Sequence, residues 1–217
     1  MTKTVQQIHT KFKWFQIFWL VQAICISVNC CFPSLANLAS SNTSKITVKF
    51  EISSYFWSIY GSSRFYSITH FLATITLIIL IRSIFSVLKQ QMNLSLNINW
   101  VTWSVLIPFV SHFLFAINAK KTSDHLNLES KTFTQNYYLA IFNFIGTGLL
   151  FAARVVFLNY EKVGNLNVPI SVSLSVYSNF ITSGFALISM YFVWKVLYEL
   201  KDEAIKLSQE KTISSGL

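Results

Sequence analysis

Five long apolar stretches divided by polar segments dominate this chain: 14–32, 66–88, 99–118, 137–159 and 170–198. Each approaches or exceeds the ~20 residues that carry an α-helix across the hydrocarbon core of a bilayer. None contains Asp or Glu. The pattern predicts an all-α polytopic bundle of four to five transmembrane helices. From the end of the last stretch onward, Val193, Leu197, Leu200, Ala204 and Leu207 recur at 4-3-4-3 spacing, a coiled-coil-like seam. Lys201, Asp202, Glu203, Lys206 and Glu210 fall on other faces. The final helix is therefore expected to outlast the membrane as an amphipathic tail over 199–217, lying on the membrane surface or against a partner. Its Asp202–Lys206 and Lys206–Glu210 spacings would each add roughly 0.2–0.5 kcal/mol.

The longest polar region is 33–65. Within it, Lys45 to Ile52 alternates polar and apolar residues, the period of a half-buried strand. Tyr55, Phe56, Trp57 and Tyr60 follow, and such rings favour the headgroup layer. The region reads as an ordered cap with a short β-like element. Pro33 is the expected end of the first helix, Pro108 a kink in the third, and Pro169 suits the first turn of the last. The chain thus divides into a basic N-terminal tail (1–13), one transmembrane bundle (14–198) and the C-terminal tail.

Composition agrees with the pattern: 53% of residues are hydrophobic and 12% charged, a membrane balance rather than a soluble one. Acids confined to segment ends and loops argue against proton- or cation-coupled transport, which uses intramembrane carboxylates. The net charge of +9 comes from Lys and Arg flanking the apolar stretches. That placement faces anionic lipid headgroups, and no basic run is dense enough for nucleic acid. Basic residues also bear on topology. If 99–118 does not cross fully, 12 of the 17 Lys and Arg lie on the side of both termini; five crossings with the N-terminus inside give 7 in and 10 out. The charge rule prefers four crossings with 99–118 re-entrant or interfacial, while its length favours a fifth. Lys11 and Lys13 ahead of an apolar run of about 19 residues resemble a signal sequence. The run is long for one, and an uncleaved signal anchor is expected. Cys25, Cys30 and Cys31, clustered and odd in number, form neither a disulfide framework nor a zinc pattern.

The tail from Glu203 to Ile213 reads Glu-Ala-Ile-Lys-Leu-Ser-Gln-Glu-Lys-Thr-Ile. It resembles the ending Gly-x-Glu-Leu-x-x-Glu-x-x-Leu-Thr-Ile of a group of bacterial four-span inner-membrane proteins of unknown function. Leu207, Glu210, Thr212 and Ile213 match with a short gap; the glycine and the stretch 99–118 have no counterpart. The resemblance implies a bacterial inner-membrane protein, of a kind often encoded near a small helix-turn-helix regulator, and supplies no catalytic residues.

Arg154 is the most informative single charge, five residues inside the end of its apolar stretch. It can snorkel to the headgroups or, with Asn143 and Thr147 on the same helical face, contact an anion or lipid headgroup. Gly148 and Ala152 form a small-xxx-small pair suited to close helix packing, expected within the chain. His70 and His112 could face one another as haem ligands, but a histidine hydrogen-bonded within the bundle is the expected role. No nucleophile elbow, paired carboxylates, zinc motif or phosphate loop occurs. The expectation is a non-enzymatic multi-pass protein of the cell membrane, without cofactor or metal, in an accessory or regulatory role through a membrane-protein partner or its own oligomer. The alternative is a subunit of an oligomeric transporter or channel handling an anion or lipid near Arg154.

Overall fold

A computed structural model describes residues 3–40, 63–92, 97–106, 111–128, 130–163 and 170–214. Among them are six helices and no strand: α1 Lys3–Ser40, α2 Ser63–Met92, α3 Ile98–Ser104, α4 Ser111–His125, α5 Lys131–Val163 and α6 Ile170–Ser214. Two stretches, Ser67–Gln90 in α2 and Ile181–Glu210 in α6, are long and apolar enough to cross a membrane. Of their most apolar windows, 39% and 22% are buried inside the described structure.

Cross-helix bonds give the directions. Lys11 Nζ donates to Ser83 Oγ at 2.6 Å and Thr69 Oγ1 to Gln22 Oε1 at 2.9 Å, so α1 and α2 are antiparallel. The Trp19 indole N–H donates to the Met190 carbonyl at 3.0 Å, and the Phe12 and Tyr198 rings lie 5.9 Å apart, so α6 also opposes α1. Asn143 bonds Ser189 at 3.0 Å, setting α5 against α6, while His112 meets Asn136 across α4 and α5. The start of α1, the end of α2, the α4–α5 connection and the last turns of α6 therefore converge at one end, which carries Lys11, Lys89, Lys120, Lys131 and Lys201.

The core sits at that basic end. On α1, Val5, Ile8, Phe12 and Phe15 recur at 3-4-3 spacing and are buried, while Trp14, Ile17, Leu20 and Ile24 on the other faces are exposed. Leu80, Ile84 and Leu88 of α2 and Leu197, Leu200 and Ala204 of α6 close the same cluster, joined by Val101, Phe115 and Phe133. Residues 3–13 are thus the first turns of a packed helix rather than a tail. The centre of the seam read on the last helix is turned inward: Leu200 and Ala204 pack on the chain's own helices. The ion pairs there are Lys201–Asp202 at 2.9 Å and Lys206–Glu203 at 3.2 Å, in place of the expected i, i+4 pairs.

The stretch 99–118 holds two described helices, Ile98–Ser104 and Ser111–His125, and the kink expected at Pro108 lies outside the described residues. Asn97 caps α3 by accepting from Trp100 N–H at 3.2 Å, and the helix ends in a turn in which Leu106 N–H reaches the Trp103 carbonyl. A second helix, α4, then returns to the basic end and runs on to His125. It stops in a left-handed turn at Asn127 (φ 49°), with Leu128 N–H on Ser123 O and Asn127 N–H on Asp124 O. These two bonds make a Schellman motif, with Asn in the usual glycine place. Ser130 then starts α5 by accepting from Thr132 N–H at 3.2 Å.

Pro33 does not end the first helix, which stays helical to Ser40. The expected cap at 33–65 is therefore helical at 33–40 and 63–65, and the strand pattern of 45–52 lies outside the described residues.

Candidate functional site

Of the residues read as an anion or lipid contact, Asn143 is placed: its amide donates to Ser189 Oγ on α6. The side chains of Thr147 and Arg154 lie outside the described residues. Asn143 also borders a cavity of about 270 Å³ between α4, α5 and α6, with Ser111, His112, Phe113, Phe144 and Thr182 around it. Phe113 and Phe144 stack with centroids 5.6 Å apart and wall one side.

Histidine 112 takes the role expected of it, a hydrogen bond within the bundle: its Nε2 lies 3.0 Å from Asn136 Oδ1. With the proton on Nε2, His112 Nδ1 and Asn136 Nδ2 remain buried without a partner among the described residues. Each such orphan costs about 1–3 kcal/mol, so this pair carries a polar cost that its single hydrogen bond does not offset. Sequence reasoning overlooked Asn136. The signal was present, because Asn136, Ala140 and Asn143 share one face at i, i+4 and i+7.

A second polar cluster lies between α1 and α2. Thr69 bonds Gln22, Gln22 Nε2 approaches His70 Nδ1 at 3.5 Å, and Thr69 Oγ1 sits 3.8 Å from the buried thiol of Cys25. His70 and His112 thus belong to different interfaces and engage different neighbours, not one another. Among the described residues no group of three His, Cys, Asp or Glu could hold a metal ion.

The packing expected at Gly148 is not found. A Cβ built on Gly146, Gly148 or Gly184 would meet nothing within 4 Å, and the side chain of Ala152 lies outside the described residues. The close approach that the Gly148–Ala152 spacing would allow therefore has no contact among the described residues at Gly148.

Chemically, the α4–α5–α6 cavity offers neutral hydrogen-bonding groups and one imidazole, with no carboxylate or Lys/Arg among its lining residues. It can hydrate or hold a small polar solute, and it lacks the paired acid and base of a hydrolytic site. Comparison with family models, curated proteins and solved structures finds no match to this chain.

Proposed function

We propose that this chain is a multi-pass helical membrane protein with a non-catalytic, accessory role, acting through a partner at its basic end. One observation carries it. The apolar exterior, with Ile17, Leu20 and Ile24 on α1 and Phe142, Ile145 and Leu149 on α5 each at least half exposed, gives way to a packed basic head. Trp14, Tyr138, Tyr191 and Tyr198 are exposed near the changeover, where aromatic rings favour the interface. Lipid covers such an exterior; water does not. The head, built from the ends of α1, α2 and α6 with α3 and α4, is the surface offered to the aqueous side.

On this reading α1, α2, α5 and α6 cross, and α3–α4 enters from the basic end and leaves by it, giving four crossings with both termini on the basic side. Cysteines at Asp124 and Gly216, in a background with the native cysteines replaced by serine, test it by impermeant thiol labelling. Both positions should label from the side of the N-terminus; labelling from the opposite side would establish a fifth crossing.

The accessory role is tested by truncation after Gln209, since removing 201–208 would strip Ala204 and Ser208 from the buried face. A stoichiometric partner lost on truncation, with the melting temperature retained, supports it. Proteoliposome flux that His112→Ala abolishes in a folded variant would instead favour the transporter reading, centred on the α4–α5–α6 cavity.

A further inference from the structure

A groove of about 360 Å³ runs between α1 and α6, walled by Trp19, Leu20 and Ala23 on one helix and Leu187, Met190 and Tyr191 on the other. Its floor is tied by the Trp19 indole bond to the Met190 carbonyl, which spends the indole N–H and leaves the ring as apolar wall. Leu20 and Tyr191 form its rims and are 63% and 54% exposed. Along α1 the groove covers residues 16–23, about 10 Å at 1.5 Å per residue, which matches a length of roughly eight methylenes rather than a whole protein helix.

Charge is distributed unevenly along the groove. At its basic end Lys13 lies seven residues from Leu20, on the same face of α1, and Lys195 lies one turn beyond Tyr191 on α6. Neither lysine has a carboxylate within ion-pair distance among the described residues, whereas the nearby Lys201 is paired with Asp202 at 2.9 Å. Glu199 stands one turn beyond Lys195 and makes no ion pair with it among the described residues. The end is therefore cationic, with Lys13 and Lys195 uncommitted.

We propose that this groove seats an acyl chain of an anionic phospholipid, whose phosphate rests between Lys13 and Lys195. The inference rests on the membrane reading above. Lipid from the leaflet on the basic side supplies both halves of the match: a flexible apolar chain for the walls and a negative headgroup at the level where the lysines begin. A neutral lipid would satisfy the walls and leave the lysines unmatched.

The test is native mass spectrometry of the full-length protein in detergent, exposed to equal amounts of phosphatidylglycerol and phosphatidylcholine. Wild type should retain phosphatidylglycerol preferentially. Lys13→Gln and Lys195→Gln should each lower that retention roughly fivefold. Ala23→Trp, which fills the groove and leaves both lysines in place, should lower retention of both lipids. Equal retention of the two lipids, or phosphatidylglycerol retention unchanged in the three variants, overturns the proposal. So does a lipid-free dimer, which would put a second copy in the groove. Alkaline carbonate extraction of native membranes separates the failures. Release of the chain into the soluble fraction would sink the membrane reading and the groove together; retention without lipid preference sinks the groove alone.

Discussion

Lys201 is the residue that most separates this chain from its own pattern. Heptad spacing gave Leu200 and Ala204 to a seam and Lys201 to the opposite face, yet all three are buried. The seam's centre is legible from spacing, but the width of the buried arc depends on how many helices surround it. Here α6 touches α1, α2, α4 and α5. Lys201 survives burial because its Nζ sits 4.0 Å from the Tyr198 ring centroid and 4.7 Å from that of Phe12, with Asp202 alongside. Lys201→Met keeps the aliphatic stem and should cost about 0.5–2 kcal/mol, the worth of the cation–π contacts. Leu200→Ala leaves a cavity in the same cluster and should cost about 2–5 kcal/mol. Thermal unfolding in detergent ranks the two, and a larger loss at Lys201 would mean that its charge, not the seam, holds the head together.

At the scale of elements, the apolar stretches located α2, α5 and α6, because twenty consecutive apolar residues leave the backbone no partner in lipid except its own helix. They did not locate the break inside 99–118. A proline marks a place where the ladder loses a bond, but whether a helix bends, breaks or continues depends on what surrounds it. At Pro33 the backbone stays helical; between α3 and α4 the helix ends at Ser104, and Pro108 lies outside the described residues. Asn127 was visible only as one polar residue in a linker, although asparagine tolerates the left-handed turn it makes. Asn127→Gly should leave stability within about 0.5 kcal/mol, while Asn127→Val should lose about 1–2 kcal/mol through its branched Cβ. Equal melting temperatures for the two variants would show that the turn does not hold α4 against α5.

For the whole molecule, the core cluster of the described residues joins α1, α2 and α6 with α3, α4 and α5 at the basic end. Gly148→Leu should leave the melting temperature of the isolated chain unchanged, because a side chain there meets open space. A fall in oligomer mass by light scattering, with the fold intact, would place that face in a contact between copies. Spacing alone proposed an intrachain contact at Gly148 because small residues permit close approach. Spacing permits such an approach but does not supply the neighbour, and a Cβ at Gly148 meets nothing within 4 Å among the described residues.

The hydrophobic pattern by itself determined that the described residues are helical, where three of the long helices run and that acids are kept from the apolar stretches. All of these follow from local rules: a backbone in lipid must bond within its own segment, and charge is excluded from hydrocarbon. Only the tertiary structure decided that the N-terminal and C-terminal turns pack together as one head, that His112 meets Asn136 while His70 meets Gln22, and that α1 and α6 leave a groove between them. Those depend on which helices become neighbours, and the same spacings would satisfy several arrangements until packing selects one.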